Sequence, residues 1–440
     1  MTTDPAATVN PYEVLRLAMR MGDLLLASGM SANDVVVFAL RVVKAYRLEG
    51  VHLDVTYTAM SASYYPSASE TPVTVIRVVR PTKVDYSKVR RLERLASRID
   101  KGLPVAEAAA EFERIRTDPH PYPLFVTVFG GAGVAAAACL LFTTEWKILL
   151  LGFLIGGLGN VLLRTFDGGQ IPPFFRHLFA AAAITLVAGA ITWAGRSGVE
   201  FLAGVDPTLL VVGGIIMLLS GTMIVGAVQD AIDQFYVTAS ARVLEVFMRT
   251  AGIVAGIVVG LAAAQQLGIP LAISTDPFTA SPPGARYAAS ALLAAMYVLT
   301  VFGDLVTILL GAVMAVISWF AYASLVNLGV AAVPADTGAA MLAALVITLV
   351  LRRTHAPGFG LITAAILPLV PGLAIYQGLL QLVGTHPAAA DPAEGAATLL
   401  HALGVAVGIG AGASLGTYLG RPIVQQMRRI TERAGRRRTS

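Results

Sequence analysis

The first 120 or so residues alternate hydrophobic and polar positions in a way that is typical of a globular domain. One apolar stripe has helical spacing, ends at Gly29, and consists of Leu15, Leu17, Met21, Leu24 and Leu25. Ser31 can cap a second helix that reaches about Leu48. Two runs with β-type alternation follow, and their sequences are HLDVTYTAMSASYY and PVTVIRVV.

The next two segments, Asp85 to Asp100 and Pro104 to Arg116, indicate charged amphipathic helices. Together with the strands they predict a small cytoplasmic α/β domain over residues 1–120, in which helices flank a sheet. The segment Thr117 to Pro123 is rich in proline and predicts a joint between this domain and the rest of the chain.

Ten apolar segments follow, and each approaches the roughly 20 residues that a helix needs to cross about 30 Å of hydrocarbon. We place them near residues 124–143, 147–163, 177–195, 208–229, 246–264, 287–302, 305–323, 337–351, 360–383 and 396–419. The predicted fold class is an α-helical polytopic membrane protein with about ten transmembrane helices and a small N-terminal α/β domain.

Composition agrees with a membrane protein. Hydrophobic residues make up 56% of the chain and charged residues only 13%, whereas a soluble domain has about 25% charged residues. The formal net charge of +5 comes mainly from the end of the chain, RRITERAGRRRTS. We therefore expect residues 421–440 to form a basic cytoplasmic tail that contacts anionic membrane lipid, and we expect no nucleic acid partner.

The basic residues also predict the orientation. With the N-terminal domain in the cytoplasm, the inner loops and the tail hold thirteen Lys and Arg residues, and the outer loops hold only three: Lys147, Arg196 and Arg286. Positive residues favour the cytoplasmic side. We expect a multi-pass protein of the bacterial plasma membrane with both termini in the cytoplasm.

Ten spans divide into two halves of five, which we place at residues 121–265 and 266–420. Because five is odd, two related halves would have opposite orientation and would form an inverted repeat, as in many secondary transporters. An alignment of the fourth and ninth segments pairs three identical positions: Gly221 with Gly372, Leu218 with Leu369, and Ile224 with Ile375. Two unrelated apolar segments can share such positions by chance, so the alignment leaves the repeat open.

Signatures of enzymes are weak or missing. The chain has no H-E-x-x-H motif and no G-x-x-x-x-G-K-[ST] loop, and its G-x-S-x-G match at residues 412–416 lies in an apolar helix rather than at a strand-to-helix turn. The single cysteine, Cys139, can form neither an internal disulfide nor a cysteine zinc site. We expect no catalytic residues, no metal site and no cofactor.

The connection between the fourth and fifth spans carries many charges close to the membrane. Asp230 and Asp233 would share a helix face, and so would Arg242 and Glu245. Ionisable groups at membrane depth tend to mark substrate or proton pathways, so these four residues are candidates for proton coupling or gating. We expect Asp230 and Asp233 to be the coupling acids and Arg242 to hold Glu245. The alternative is an interfacial loop whose charges are solvated and pair with one another.

Proline and glycine predict a break in the ninth span and close packing elsewhere. Pro368 and Pro371 each remove a backbone donor inside that span, and the freed carbonyl groups either line a cavity or accompany a kink that only serves packing. Glycines at four-residue intervals predict closely packed helices in spans five and ten: Gly252, Gly256 and Gly260, and Gly404, Gly408, Gly412, Gly416 and Gly420.

Long stretches of the chain resemble the threonine/serine exporter family. MGDLLLASGMSANDVVVFALRVVKAYRLEG and RLERLASRIDKGLPVAEAAAEFERI are similar to that family's cytoplasmic domain. GGIIMLLSGTMIVGAVQDAIDQFYVTASARVLEVF is similar to its central motif, and RRTHAPGFGLITAAILPLVPGLAIYQGLL to its second-half motif. Ser220 departs from the many relatives with proline before the equivalent of Gly221, which argues against the same break in both halves.

The resemblance implies export of small amino acids, threonine or serine, driven by the proton gradient. Relatives that are split into two subunits are associated with succinate export, so a dicarboxylate is the alternative substrate. A membrane-anchored regulatory or hydrolytic protein, with the soluble domain as its active part, is the alternative of another class. A homo-oligomer is compatible with all three.

A zwitterionic substrate would bind between the two glycine-containing spans, near the middle of the bilayer. Half-helix N-termini can donate to its carboxylate, and carbonyl groups freed by Pro371 can accept from its ammonium group. The candidate lining residues are Ser220, Gly221, Thr222, Pro371, Gly372, Tyr376 and Gln377. Neither span contains Lys or Arg, which favours a neutral amino acid over a dicarboxylate, although Arg242 lies nearby.

Overall fold

The structure, a computed structural model, describes residues 10–66, 70–79, 84–167, 171–216, 218, 221–269, 271, 281–354, 358–383 and 392–436. Up to residue 117 the chain forms what we name the N-terminal domain. Its elements are α1 (Pro11–Ala27), α2 (Ala32–Ala45), β1 (Val51–Val55), β2 (Ala59–Tyr64), β3 (Val73–Val78), α3 (Tyr86–Ile99) and α4 (Val105–Thr117). The strands form an antiparallel sheet in the order β1-β2-β3.

One apolar core joins the helices of the N-terminal domain to its sheet. Leu15 of α1, Met60 of β2, Leu92 of α3 and Phe112 of α4 are all buried in it. The stripe predicted on α1 faces this core, and only Leu24 of its five residues is partly exposed. Burial of this stripe removes apolar surface from water and fixes α1 against the other helices.

The ends of two helices are set by capping residues. The Ser31 side chain accepts a hydrogen bond from the backbone N–H of Asp34 at the start of α2, and Asp85 accepts one from Lys88 at the start of α3. Gly29, after α1, has a φ of 89°, a left-handed conformation that favours glycine. The turn between α1 and α2 therefore has a defined geometry, and this turn contacts the rest of the molecule.

The membrane part of the described chain contains twelve helices. They are α5 (Leu124–Leu140), α6 (Trp146–Asp167), α7 (Pro173–Arg196), α8 (Pro207–Ile215), α9 (Gly221–Ile232), α10 (Tyr236–Gln266), α11 (Pro283–Thr300), α12 (Leu305–Asn327), α13 (Ala332–Thr354), α14 (Gly358–Ile366), α15 (Gly372–Val383) and α16 (Pro392–Arg436). By length and apolar composition six of these can cross a membrane, namely α6, α7, α10, α12, α13 and α16. The prediction of a helical, polytopic membrane protein is confirmed.

Two predicted spans are each divided into two helices. The fourth span consists of α8 and α9, and the described residues between them, Ile216 and Leu218, lie in a turn. The ninth consists of α14, a 3-10 turn at Leu367–Leu369, and α15. Pro371 precedes α15, and its missing N–H prevents a continuous α-helix. The break predicted at Pro368 and Pro371 is confirmed. The fourth span is broken as well, although Ser220 argued against it.

The connection between α9 and α10 is much shorter than predicted. It consists of Asp233, Gln234 and Phe235, and Gln234 has a φ of 69° at the reversal. Helix α10 begins at Tyr236 and runs for 31 residues, so Arg242 and Glu245 lie on the helix itself. The predicted length of the connection, residues 230–245, is wrong, because α9 and α10 both continue into it; only Asp233 of the four charged residues lies between the helices.

Candidate functional site

Asp230 and Arg242 form a buried ion pair at the end of α9 and the start of α10. The Asp230 side chain is 0% exposed and that of Arg242 6%, and Oδ2 of Asp230 lies 3.1 Å from Nη1 of Arg242. Oδ1 of Asp230 accepts a hydrogen bond of 2.8 Å from the N–H of Ala32. Nη2 of Arg242 donates one of 2.8 Å to the carbonyl oxygen of Met30. The pair therefore binds the α1–α2 turn of the N-terminal domain to the membrane part.

Glu245 has partners other than the predicted one. Its carboxylate forms an ion pair with Arg249, one helical turn further along α10, and accepts a hydrogen bond from the hydroxyl group of Tyr57 in the N-terminal domain. The prediction that Arg242 holds Glu245 is wrong. Arg242 is instead paired with Asp230, which α9 brings to it from the other side of the tight turn.

Asp233 occupies a different environment from Asp230. It lies in the turn after α9, is half-buried, and its N–H donates to the carbonyl oxygen of Gln229. The two aspartates therefore differ in environment, although their spacing fits a shared helix face. Of the two, only Asp230 is fully buried.

Tyr86 inserts its ring from the N-terminal domain into the membrane part. It is 2% exposed, and a Cβ added at Gly360 of α14 would lie 2.5 Å from the ring, so only glycine leaves room for it. Burial, and next the adjacent Tyr297, raise the pKa of Tyr86 well above its ordinary value. The hydroxyl group therefore stays protonated between α11 and α14.

A second contact joins the N-terminal domain to the connection between α11 and α12. Arg90 forms an ion pair with Asp304, and the His120 ring stacks on Phe302 with 4.1 Å between the ring centroids. Burial opposes ionisation of Asp304, but hydrogen bonds from Thr307 and Arg90 outweigh it and lower the pKa of this carboxyl group. Polar contacts at separate places thus hold the N-terminal domain on the membrane part.

The predicted substrate residues of α15 lie near the break in the fourth span. Tyr376 is 1% exposed and packs in a cluster that is otherwise made of residues before position 260, among them Leu218 and Ile253. Its hydroxyl group is buried and has no hydrogen-bond partner among the described residues. The carbonyl oxygen of Pro371 accepts from the N–H of Ile375 at 3.0 Å, so it already takes part in the first turn of α15.

The remaining predicted substrate residues are only partly described. Ser220 lies outside the described residues. Gly221 and Thr222 form the first residues of α9, as Gly372 does for α15. Gln377 is half-buried on α15. A binding pocket made of these residues stays a prediction.

A cavity of about 250 Å³ lies between the N-terminal domain and the membrane part. We name it the interface cavity. The N-terminal domain contributes residues of the α1–α2 turn together with Tyr57 and Tyr86, and the membrane part contributes residues of α9, α10, α11 and α14. Arg242, Glu245 and Arg249 all face it. Of the four charged residues singled out from the sequence, Arg242 and Glu245 therefore line this cavity, and Asp230 is the ion-pair partner of Arg242.

The sequence did not single out Asp336, which is a buried acid of α13. It is 6% exposed and is the fifth residue of that helix. The predicted eighth span begins one residue later, at residue 337, so an apolar window extended by one residue would have included it. His177 occupies the same position in α7 as Asp336 does in α13, the fifth residue of the helix, and it is also 6% exposed.

These features define a class of protein: a multi-pass helical membrane protein with an N-terminal α/β domain docked on buried charges beside two broken spans. The sequence profile described as "Putative threonine/serine exporter" matches residues 16–264, and the one described as "Threonine/Serine exporter, ThrE" matches residues 287–419. The chain belongs to the threonine/serine exporter family, whose members are transporters and not enzymes.

Two relatives match nearly the whole chain. The "Probable threonine/serine exporter" of Mycobacterium tuberculosis is 32% identical over 93% of this chain and 77% of its own length. The "Threonine/serine exporter" of Corynebacterium glutamicum is 30% identical over 94% of this chain and 83% of its own length. No solved structure gives a significant match.

Proposed function

We propose that this protein exports threonine or serine from the cytoplasm, with the proton gradient as the driving force. The observation that carries the proposal is a pair of broken spans, one in each half, in a chain of the exporter family. The fourth span is divided into α8 and α9, with Ile216 and Leu218 in a turn between them, and the ninth is divided into α14 and α15 by the 3-10 turn at Leu367–Leu369. Interrupted helices at equivalent positions of two repeats form the substrate site in repeat-built transporters.

Helix packing supports two related halves of five spans, residues 121–265 and 266–420. A Cβ at Gly260 of α10 would meet Ala182 and Thr185 of α7, and one at Gly416 of α16 would meet Met341 and Ala344 of α13. In each half the two partners are three residues apart. The same packing geometry in both halves supports two related halves, and with five spans in each they would form an inverted repeat. The distribution of basic residues supports placing both termini in the cytoplasm.

The repeat also relates two polar contacts at opposite ends of the membrane part. Asp230 lies nine residues after Gly221, and Gln381 lies nine residues after Gly372. When Gly260 of α10 is aligned on Gly416 of α16, Arg242, the partner of Asp230, corresponds to Thr398, which donates a hydrogen bond of 3.1 Å to Gln381. We infer that the Asp230–Arg242 contact closes the inner end and the Gln381–Thr398 contact closes the outer end, and that the two ends close alternately during transport. Only the inner contact carries charges, so a proton reaching Asp230 would weaken the inner contact alone.

The charges favour a neutral amino acid over a dicarboxylate. From the sequence, Arg242 was the cation that made a dicarboxylate substrate an alternative. In the structure Asp230 lies 3.1 Å from Arg242 and compensates its charge. Arg249 is matched by Glu245. A dicarboxylate would bring two negative charges to a site whose cations already have anionic partners, and unpaired buried charge is costly.

Counterflow in proteoliposomes tests this function. Vesicles loaded with unlabelled threonine are expected to accumulate labelled threonine, while vesicles loaded with succinate and given labelled succinate accumulate none. Gln377→Leu and Arg242→Gln are then assayed with both compounds. If Gln377→Leu leaves threonine transport intact and Arg242→Gln abolishes succinate transport, the substrate is a dicarboxylate and the assignment is wrong.

A further inference from the structure

The interface cavity has the size and the lining of a site for a small polar molecule. Its volume of about 250 Å³ is below the roughly 300–1,000 Å³ of pockets for drug-sized ligands. Both the N-terminal domain and the membrane part contribute to its wall, so it exists only while the two are docked. A molecule bound there would contact both parts at once.

The polar groups of the interface cavity are paired into a neutral set. Arg242 is paired with Asp230, and Arg249 with Glu245, which also accepts from Tyr57. A ligand with one positive and one negative group can exchange partners with these pairs and leave no charge uncompensated. A ligand with a net charge cannot do so, and an uncompensated buried charge is strongly unfavourable.

The rest of the wall suits a short side chain with a hydroxyl group. The apolar residues are Leu26, Ala27, Val79, Val84 and Met223, and hydroxyl groups come from Tyr86, Tyr297 and Thr363. A site that offers hydrogen bonds to a ligand hydroxyl discriminates against a ligand that lacks it. Serine and threonine meet this description.

We propose that the interface cavity is an access site, where a zwitterionic amino acid with a small polar side chain binds before it reaches the broken spans. Arg249 and Arg242 bind its carboxylate, and Glu245 binds its ammonium group. This inference rests on the proposed export of threonine or serine. It gives the N-terminal domain a direct role in substrate binding, because Tyr57 and Tyr86 complete the wall.

Thiol protection in the full-length protein tests the location of the site. Ala27→Cys places a thiol in the cavity wall, Val37→Cys places one on the exposed face of α2, and the native Cys139 is buried in both variants. Saturating threonine is expected to slow alkylation of Ala27→Cys by about tenfold or more, because a bound ligand excludes the reagent. Succinate is expected to have no effect, and Val37→Cys is expected to react equally fast in all cases. Equal rates for Ala27→Cys with and without threonine overturn the proposal.

Binding of labelled threonine to the protein in nanodiscs tests whether Arg249 and Glu245 bind the ligand. It also tests the access site if the alkylating reagent does not react with Ala27→Cys. Arg249→Met and Glu245→Gln are each expected to weaken binding by about tenfold or more, since each removes a charge-assisted hydrogen bond to the ligand. Arg98→Met is the matched control, because Arg98 pairs with Glu111 on the surface of the N-terminal domain. If the unmodified protein transports threonine and Arg249→Met leaves both threonine binding and the KM unchanged, the access site is overturned and the proposed export function stands. Absence of threonine transport by the unmodified protein overturns the proposed function instead.

Discussion

Two carboxyl groups are buried within the described membrane helices, and their surroundings differ. Asp230 is held by Arg242 and by the N–H of Ala32. For Asp336 the described residues show no ion pair and no hydrogen bond. Breaking a buried pair by removing one partner costs about 3–5 kcal/mol. Protonation of Asp230 therefore has a structural consequence, because it removes the charge that holds Arg242.

The coupling role is tested by Asp230→Asn. We expect this variant to lose gradient-driven export and to keep exchange of threonine, since an amide cannot change charge during the cycle. Asp233→Asn is the comparison, and we expect it to keep gradient-driven export. The measurement is labelled threonine efflux with and without an imposed pH gradient. If Asp230→Asn couples normally and Asp336→Asn does not, the coupling acid is Asp336.

Gly360→Ala is expected to displace the Tyr86 ring. The added Cβ would lie 2.5 Å from that ring, and such overpacking costs about 1–3 kcal/mol. We expect a lower Tm and faster proteolysis at the joint between the N-terminal domain and α5, because the domain undocks more often. Gly284→Ala is the control, since its Cβ would meet nothing within 4 Å. Equal proteolysis rates in the two variants would show that Tyr86 does not hold the domain.

At the scale of helices, glycine rows decide which elements pack closely. Gly252, Gly256 and Gly260 bring α10 against the backbone of α7, and Gly412 and Gly416 bring α16 against that of α13. Such rows let two backbones approach within the membrane, where packing rather than hydrophobic burial holds helices together. The predicted close packing is confirmed for both helices.

Gly256→Ala and Gly412→Ala are expected to destabilise the membrane part to a similar extent. Each added Cβ would collide with a backbone carbonyl oxygen, of Leu178 or of Thr337, and a backbone atom cannot move aside cheaply. We expect a loss of about 1–3 kcal/mol for each. Gly404→Ala is the control, because its Cβ would lie 3.6 Å from Val333, an ordinary contact. The measurement is the Tm of thermal unfolding in detergent. A lower Tm for only one of the two glycine variants, Gly256→Ala or Gly412→Ala, would contradict equivalent packing in the two halves.

At the scale of the whole molecule, the N-terminal domain is docked on the membrane part. Its contacts reach α10 through Tyr57, α14 through Tyr86, and the α11–α12 connection through Arg90. These elements belong to both proposed halves. Relative motion of the halves would therefore change the docking of the domain, which gives it a position from which it can regulate transport.

Reporter fusions test the orientation of the whole molecule. Fusions after Arg116 and after Ser440 are both expected to report the cytoplasmic side, since basic residues concentrate in the proposed inner segments. A fusion between α10 and α11 is the control and is expected to report the outer side. Opposite results for the two termini would require an odd number of crossings and would remove the two halves of five spans.

The sequence by itself determined the helical membrane class, the capped helices of the N-terminal domain, the break at Pro371 and the glycine packing. These features follow from local patterns: an apolar run of sufficient length, a capping side chain, a missing N–H, or a row of small residues. Each needs no knowledge of what the segment packs against. The family was also recognisable, because its motifs are contiguous stretches of sequence.

Only the tertiary structure decided which charges pair. Arg242 is three residues from Glu245 on its own helix, yet its partner is Asp230, and the N–H that fixes Asp230 belongs to Ala32, 198 residues away. The depth of Asp336 and the insertion of Tyr86 beside Gly360 were likewise set by packing. Sequence spacing restricts which residues can meet on one helix. The partner of a buried charge depends on how separate elements pack together, because a buried charge without a compensating partner is strongly unfavourable.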